Sequence, residues 1–476
     1  MGIARVRSAA LLIALAAVVL LPIVMAPFGG RADAATAWTS TAALPAPRTN
    51  ATTTLLRNGQ VLVAGGVDDL SQPQATAYLY NPATQTWTQA SSMHTARSSH
   101  AAALLANGTV LVAGGTTTAQ NQTPPTATAE VFDPATSTWS SVGSMAAPRW
   151  GFAATTLSNG KVLVAGGENA ATDGCICEEL RTAELYNPAT RTWSAAGSMS
   201  QGRTNPTATL LSSGDVLVVG GYRGQKFDTS DPLADSEVYV GSTGQWRLTG
   251  DMIIQRQLHE ATLLPDGRVF VAGGLPANLF NVSGHVTPTT PDAEFYEPNA
   301  TDLITGRQGT WVPASPMPSG RAQHGQALLA DGRVLVAGGV DDNEQAINSA
   351  LLYDPATDAW LDAGSMLTAR SAFAVVRLST QPCGSVCNDV LVAGGASGNG
   401  LLLGAGTAAA ELFTAPASAA GAASGGRNGA AAGGVPVPDT GSDGIGWWPL
   451  SATAAVVVSV LILFCAGRAR VKRWRR

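Results

Sequence analysis

The chain has 476 residues, of which 33 are acidic and 28 basic, so its formal net charge is −5 and only 13% of its side chains are charged. The basic residues are nearly all arginine and are scattered along the sequence. A nucleic-acid-binding domain carries a clustered basic patch or stripe, which is missing here, so we expect no nucleic-acid partner.

The N-terminus has the features of a secretory signal peptide. Arg5 and Arg7 precede an apolar run from Ala9 to Met25, and Ala32-Asp33-Ala34 places small residues at the spacing of a cleavage site. We predict that residues 1–34 are the signal peptide and that cleavage follows Ala34. An uncleaved N-terminal membrane helix is the alternative.

A period of about fifty residues then runs through the chain, which indicates a propeller or a solenoid. Its clearest marker is a β-branched run that ends in two glycines, first seen as Val61-Leu62-Val63-Ala64-Gly65-Gly66. The pair recurs at Gly114-Gly115, Gly166-Gly167, Gly220-Gly221, Gly273-Gly274, Gly338-Gly339 and Gly394-Gly395. Turn signals such as Asn58-Gly59 precede most copies and predict tight hairpins.

Each repeat continues with an aromatic strand, a turn and a tryptophan. Tyr78-Leu79-Tyr80 is followed by Asn81-Pro82 and Trp87, and the Asx-Pro turn returns at Asp133, Asn187 and Asp354. Asx-Pro fixes the backbone of a turn and lets the Asx side chain cap it. The pattern predicts four strands per repeat, with the valine runs and tryptophans in the core.

Hairpin, Gly-Gly, aromatic strand, Asx turn and tryptophan, in that order, resemble the kelch repeat from about Trp38 to Phe413. The resemblance implies an all-β, seven-bladed kelch β-propeller over residues 35–414. The seventh repeat ends at Phe413 without a tryptophan, and a lone strand at Trp38 precedes the first repeat. We therefore predict that the N-terminal strand completes the last blade and closes the ring.

An arginine precedes the first strand of each repeat. These are Arg48, Arg97, Arg149, Arg203, Arg256, Arg321 and Arg370. In a propeller these connections and the loops between strands two and three share one face, so the arginines are predicted to ring one mouth of the channel and bind an anionic sugar or carboxylate. Glutamates also recur on strand three, at Glu130, Glu184, Glu237, Glu294 and Glu411. Arginine-glutamate pairs that belong to the scaffold are the alternative.

Two further patterns raise the question of metal binding. His100, His259 and His324 each stand three residues after one of these arginines, but they lie in separate repeats. Asp68-Asp69 and residues 341–344 are acidic loops without the ligand spacing of a known calcium loop. We predict no bound metal and no cofactor.

The cysteines form two local pairs. Cys175 and Cys177 lie in a loop between strands two and three, whereas Cys383 and Cys387 replace a hairpin between strands one and two. Those loops open on opposite faces of a propeller, so the pairs are predicted to form two local disulfides and not a shared zinc site. Cys465 lies inside an apolar segment and has no predicted partner.

The C-terminal segment predicts an anchor. Residues 415–436 are rich in alanine and glycine and are predicted to form a flexible stalk. An apolar run at about 450–467 is long enough to span a bilayer, and a basic tail follows it. Val437-Pro438-Asp439-Thr440-Gly441 upstream resembles a Gram-positive cell-wall sorting signal of the LPXTG type, with valine in place of the usual leucine. The resemblance implies that residues 437–476 are the signal, that a sortase cuts after Thr440, and that peptidoglycan or the intact membrane helix holds the chain.

Together these features predict a binding or adhesion propeller on the extracellular face of a bacterial envelope, recognising an unknown extracellular protein or glycan. The irregular loops that contain Tyr222, Arg223, Lys226, Asn278 and Phe280 are predicted to contact that partner. The alternative is a carbohydrate-active kelch enzyme such as a galactose oxidase-like copper oxidase, which shares the seven-bladed fold. Fold analogy alone does not assign an oxidase.

The disulfide prediction is directly testable by mass. Without reductant, the extracellular domain is expected to be about 4 Da lighter than its fully reduced form, because each disulfide removes two hydrogens. Intact-mass spectrometry before and after reduction measures the difference. Free thiols at all four positions would contradict the pairing.

Overall fold

The structure is a computed structural model that describes residues 37–118, 125–170, 177–224, 231–277, 288–378, 389–398 and 405–415. Within these residues the chain forms seven four-stranded antiparallel sheets, which are the blades of a β-propeller. The predicted signal peptide, sorting signal and apolar C-terminal run, and the stalk beyond residue 415, lie outside the described residues. In the part of the chain that is described, no helix has the length and apolar character needed to cross a membrane.

The first four blades follow the chain in order. Blade 1 contains β2 (Thr52–Leu55), β3 (Val61–Ala64), β4 (Ala77–Asn81) and β5 (Thr86–Gln89). Blade 2 contains β6 (Ala101–Leu104), β7 (Val110–Ala113), β8 (Ala129–Asp133) and β9 (Thr138–Val142). Blade 3 contains β10 (Ala153–Thr156), β11 (Val162–Ala165), β14 (Thr182–Asn187) and β15 (Thr192–Ser198). Blade 4 contains β16 (Thr207–Leu210), β17 (Val216–Val219), β20 (Ser236–Val240) and β21 (Gln245–Leu248).

The remaining blades include the one that joins the two ends of the domain. Blade 5 contains β22 (Glu260–Leu263), β23 (Val269–Ala272), β24 (Ala293–Thr301) and β25 (Gln308–Ala314). Blade 6 contains β26 (Gly325–Leu328), β27 (Val334–Ala337), β28 (Ser349–Asp354) and β29 (Ala359–Ser365). Blade 7 contains β30 (Ala374–Arg377), β31 (Val390–Ala393), β34 (Ala410–Phe413) and β1 (Trp38–Thr41). Three short hairpins extend the loops of blades 3, 4 and 7: β12 (Glu168–Ala170) with β13 (Cys177–Glu179), β18 (Tyr222–Arg223) with β19 (Asp231–Pro232), and β32 (Ala396–Ser397) with β33 (Ala405–Gly406).

The blades are arranged as a closed ring. The first strand of each blade contacts the first strands of its two neighbours, from β2 through β6, β10, β16, β22, β26 and β30, and β30 contacts β2 again. These innermost strands therefore surround the central channel. The second strands are buried throughout, since Val61–Ala64 and its counterparts pack between neighbouring blades.

Local sequence explains the repeated geometry at the Gly-Gly pairs. Gly65 and Gly66 both have positive φ, at 66° and 85°. A Cβ on Gly65 would lie 2.5 Å from the carbonyl oxygen of Arg97, and one on Gly66 would lie 2.5 Å from that of Thr49. Only glycine allows the backbones of adjacent strands and blades to approach this closely.

The N-terminal strand completes the last blade, as the sequence predicted. β1 pairs antiparallel with β34, with Trp38 opposite Phe413 and Thr41 opposite Ala410. The Trp38 and Phe413 rings are 5.0 Å apart. The same aromatic pair, one ring on the third strand and one tryptophan on the fourth, occurs in each of the other blades with centroid distances of 4.8 to 5.3 Å.

The tryptophans also join each blade to the one before it. Every indole N–H in this set donates to a backbone carbonyl of the preceding blade's outer strand or the residues that follow it, at 2.7 to 3.1 Å. Trp38 donates to Ala363 of blade 6, and Trp87 of blade 1 donates to Ala42, just after β1. The seam closed by the N-terminal strand is therefore built like the other seams.

This closure predicts the effect of truncating Trp38. The side chain is only 2% exposed, so Trp38→Ala is expected to lower the free energy of unfolding by about 3–5 kcal/mol. Trp87→Ala removes the same kind of hydrogen bond and ring pair from a partly exposed tryptophan and is expected to cost less. Chemical denaturation of both variants tests this order, and an equal or smaller loss for Trp38→Ala would contradict the closure.

Candidate functional site at the loop face

One face of the propeller carries both the arginine-bearing connections and the loops between second and third strands. In blade 1, Thr52 at the start of β2 pairs with Ala64 at the end of β3, and Thr49 forms a bridge with Val67 beyond the glycines. Antiparallel pairing therefore places both segments at the same end of the sheet. We call this end the loop face, and the end with the Asn-Gly turns the hairpin face.

The arginines of the loop face are buried in the blades. The Arg149 side chain is 0% exposed. Its Nη1 donates to the carbonyls of Gly166 and Thr182 at 2.8 and 3.0 Å, and its Nη2 donates to Glu184 Oε1 at 2.8 Å. The carboxylate of Glu184 also accepts hydrogen bonds from the backbone N–H groups of Ala146 and Ala147, at 2.7 and 3.2 Å.

We call this arrangement the arginine clamp: the arginine, its strand-three glutamate and the two backbone segments to which they bond. It recurs in blades 2, 3, 4, 5 and 7. Its pairs are Arg97–Glu130, Arg149–Glu184, Arg203–Glu237, Arg256–Glu294 and Arg370–Glu411. Burial alone raises the pKa of Glu130, but backbone hydrogen bonds from His94 and Thr95 and the pairing with Arg97 outweigh it and lower that pKa. The carboxylate is therefore held in its charged form.

Blades 1 and 6 lack the glutamate. In blade 6 Leu351 occupies its register position opposite Val336, and Arg321 donates to the carbonyl and hydroxyl oxygens of Ser349. Burial lowers the pKa of Arg321 to about 10. In blade 1 the position is Tyr78, and the Arg48 guanidinium lies 5.6 Å from the centre of its ring.

The seven predicted ligand-binding arginines thus occupy equivalent positions, but their guanidinium groups donate to atoms of their own blades. Arg48, Arg97, Arg149, Arg203, Arg256, Arg321 and Arg370 are at most 5% exposed. This geometry favours the scaffold alternative. Anion binding by these arginines stays a prediction.

The three histidines lie in the seams between inner strands. His100 Nε2 is 2.9 Å from the hydroxyl of Thr52 in the preceding blade, and His259 Nε2 is 3.3 Å from that of Thr207. Burial lowers the pKa of each of the three, including His324, to about 3. Among the described residues, no group of three or more histidine, cysteine, aspartate or glutamate side chains is placed to hold a metal ion.

The two acidic loops use their first carboxylate to hold a turn. Asp68 Oδ1 accepts hydrogen bonds from the backbone N–H groups of Leu70 and Gln72, both at 2.9 Å. Asp341 Oδ1 accepts the equivalent pair from residues 343 and 345, also at 2.9 Å. These oxygens therefore stabilise the loops of blades 1 and 6.

The structure places only some of the other predicted residues. Tyr222 and Arg223 form β18, and the exposed Arg223 side chain donates to Gln201. Lys226, Asn278, Phe280, Cys175, Cys383 and Cys387 lie outside the described residues, as does the side chain of Cys177.

Sequence reasoning missed one residue of the channel wall. Glu260 opens the inner strand of blade 5, where the other blades have small or hydroxyl side chains. Those equivalents are Thr52, Ala101, Ala153, Thr207, Gly325 and Ala374. An alignment of the seven inner strands would have identified this residue, because Glu260 is the only charged residue among the seven first positions.

Comparison with known proteins matches this architecture. The kelch motif matches residues 48–94, 97–146, 149–200 and 327–367, which lie in blades 1, 2, 3 and 6. The chain therefore forms a β-propeller in which four blades match the kelch motif. Kelch-like protein 35 of Mus musculus is 26% identical over 220 residues, covering 46% of this chain and 32% of that protein. Galactose oxidase of Gibberella zeae is 31% identical over 144 residues, covering 29% of this chain and 20% of that protein.

Kelch-like protein 35 and galactose oxidase are matched over 32% and 20% of their own length, so they carry no activity over to this chain. A solved structure described as a novel fungal alcohol oxidase of the AA5 family, in complex with copper, has a TM-score of 0.60 at 18% identity, covering 80% of this chain and 76% of that one. That likeness shows the fold alone.

The clamp predicts a large stability loss when its charge is removed. Glu184→Gln keeps the size of the side chain but leaves Arg149 buried without a counter-charge, and we expect the free energy of unfolding to fall by about 3–5 kcal/mol. Asp69→Asn, in an exposed loop, is the matched control and is expected to change it by less than about 0.5 kcal/mol. Equal effects of the two substitutions in chemical denaturation would contradict the scaffold role.

Proposed function

We propose that this kelch propeller is displayed on the extracellular face of a bacterial envelope and binds an extracellular protein or glycan through its loop face. The N-terminal signal, the stalk at 415–436 and the sorting motif at 437–441 are the sequence features that support display. In this proposal a sortase joins Thr440 to peptidoglycan, or the apolar span at about 450–467 retains the chain in the membrane.

The observation that carries the proposal is the contrast between a uniform scaffold and unequal loops on one face. The segment between second and third strands spans residues 65–76 in blade 1 but 273–292 in blade 5. In blades 3, 4 and 7 this segment forms an additional two-stranded hairpin. Binding surfaces in β-scaffold proteins are built in this way, from variable loops on a rigid frame.

Side chains on the loop face add binding capacity. Leu70, in the loop of blade 1, is 78% exposed, and Ile253 and Leu367, in connections between blades, are 57% and 62% exposed. Arg223 is exposed on the hairpin of blade 4. Arginine is enriched at the centres of protein interfaces.

The oxidase alternative is supported by the partial similarity to galactose oxidase. That similarity covers 29% of this chain and 20% of the oxidase. We favour the binding role because the unequal loops on one face support it.

A glycan array and a metal analysis on the recombinant segment from Ala35 to Pro436 distinguish these functions. We expect saturable binding without stoichiometric metal, and we expect Leu70→Ser with Arg223→Ala to weaken it. The double variant Leu303→Ser, Ile304→Ser is the control, because these side chains are 97% and 96% exposed on the hairpin face. Stoichiometric copper with peroxide release on sugars, or loss of binding only in the control, would overturn the proposal.

A further inference from the structure

A ring of left-handed residues surrounds the channel at the loop face. The second residue after each clamp-position arginine has a positive φ, between 48° and 59°. The residues are Asn50, Ser99, Gly151, Asn205, Leu258, Gln323 and Ala372. We call this ring the collar.

Backbone hydrogen bonds connect collar residues of different blades. The backbone N–H of Asn205 donates to the carbonyl of Gly151 at 2.7 Å, and that of Gln323 donates to the carbonyl of Leu258 at 3.2 Å. Its members therefore form a connected rim, and each inner strand begins just beneath it. Side chains at the start of the inner strands lie at the mouth of the channel.

Buried polar atoms without hydrogen-bond partners occur at this rim. Both amide atoms of Asn205 and both ring nitrogens of His324 are in this state within the described part of the chain. Asn205 is 9% exposed and His324 is 1% exposed. Buried polar groups normally have partners, and leaving them without any costs stability.

Glu260 faces the same place by repeat equivalence. Thr52 and Thr207, the first residues of the inner strands of blades 1 and 4, contact the histidine of the following blade. In the seam between blades 5 and 6 the equivalent residues are Glu260 and His324. One step further along the same seam, Gln326 Nε2 donates to Thr262 Oγ1 at 2.7 Å.

The surroundings of Glu260 disfavour its charged form. Its side chain retains some accessible surface although protein encloses it, which is the situation of a group on a narrow channel wall. Burial raises the pKa of Glu260 well above its ordinary value. Burial also lowers the pKa of His324, and the charges of Arg321 and Arg256 lower it further.

In their neutral forms, a carboxyl and an imidazole each offer a donor and an acceptor without net charge. A cationic ligand would lose its hydration at this site beside the charges of Arg321 and Arg256. An anionic ligand would compete with Ser349 for the buried guanidinium of Arg321. Hydroxyl groups donate and accept at once, so a ligand with several of them matches the free positions.

We propose that the channel mouth at the seam between blades 5 and 6 binds an uncharged polyhydroxyl ligand, a neutral saccharide or polyol, through Glu260 and His324. This site is separate from the exposed loops that carry the proposed function. It therefore stands even if those loops bind a protein.

The repeats supply substitutions that the fold already tolerates. Glu260→Ala installs the residue found at Ala101 and Ala153, and His324→Phe installs the one found at Phe152 and Phe373. His100→Phe makes the same change in the seam between blades 1 and 2 and is the matched control. Glu260→Gln keeps a neutral donor and acceptor.

Isothermal titration of the full-length chain with galactose, glucose, glucuronate, glucosamine and sorbitol at pH 7 tests the site. We expect a neutral probe to bind, Glu260→Ala and His324→Phe to weaken it by at least about tenfold, and Glu260→Gln and His100→Phe to retain it. Thermal unfolding of each variant separates this loss from misfolding.

The inference would be overturned by no binding of any neutral probe, by equal loss in His100→Phe, or by binding of glucuronate or glucosamine in preference to the neutral sugars. Binding of zinc or copper that Glu260→Gln abolishes would also overturn it, since a metal needs the ionised carboxylate. The double variant Leu70→Ser, Arg223→Ala separates the two sites. If it loses loop-face binding and still binds the neutral probe, the channel site does not depend on the loop-face site.

Discussion

The pairing of β1 with β34 is the constraint on which the rest of the structure depends, because it turns a row of seven blades into a ring. Without β1, blade 7 would end at β34 and expose an unpaired strand edge, which is a template for association with other chains. With it, Trp38 bonds to Ala363 and Trp87 bonds to Ala42, so the closing seam has the same contacts as the others. The loops then stand on a frame whose blades cannot separate at one weak seam.

The arginine clamps transmit that rigidity to the loop face. Arg149 reaches the Gly-Gly turn through Gly166 and the third strand through Glu184, and Glu184 returns to the connection at Ala146. A buried ion pair of this kind is held by several backbone hydrogen bonds, which offset the cost of removing its charges from water. Blades 1 and 6, with Tyr78 and Leu351 in place of glutamate, hold their arginines by other contacts. These two blades also share the loop organised by Asp68 and Asp341.

Local steric rules explain why the sequence predicted so much of the fold. Gly65-Gly66 and Asn58-Gly59 demand backbone conformations that few other residues adopt, and the tryptophan spacing marks each outer strand. The number of blades and the closure by Trp38 follow from counting these markers. The direction of the Arg149 side chain could not be predicted from the sequence. The same spacing is compatible with an arginine that points to a ligand in the channel and with one that pairs with a glutamate on strand three. Nor does the collar, where Leu258 has a φ of 57° that no local signal predicts; the contacts between blades impose it.

In a repeat protein, the positions that differ from the other repeats are the first candidates for functional residues. The kelch motif matches blades 1, 2, 3 and 6, whereas blade 5 contains Glu260 and the long segment at 273–292. Hydrogen bonds and an arginine offset the burial of the clamp glutamate Glu130, whereas burial alone shifts the pKa of Glu260. Its raised pKa means that the folded chain retains a proton that the unfolded chain releases above the ordinary carboxyl range, so this group lowers stability as the pH rises through that range. Six equivalent positions have an uncharged residue, so Glu260 is not required to hold the ring together, and this is the position at which we propose that the channel binds its ligand.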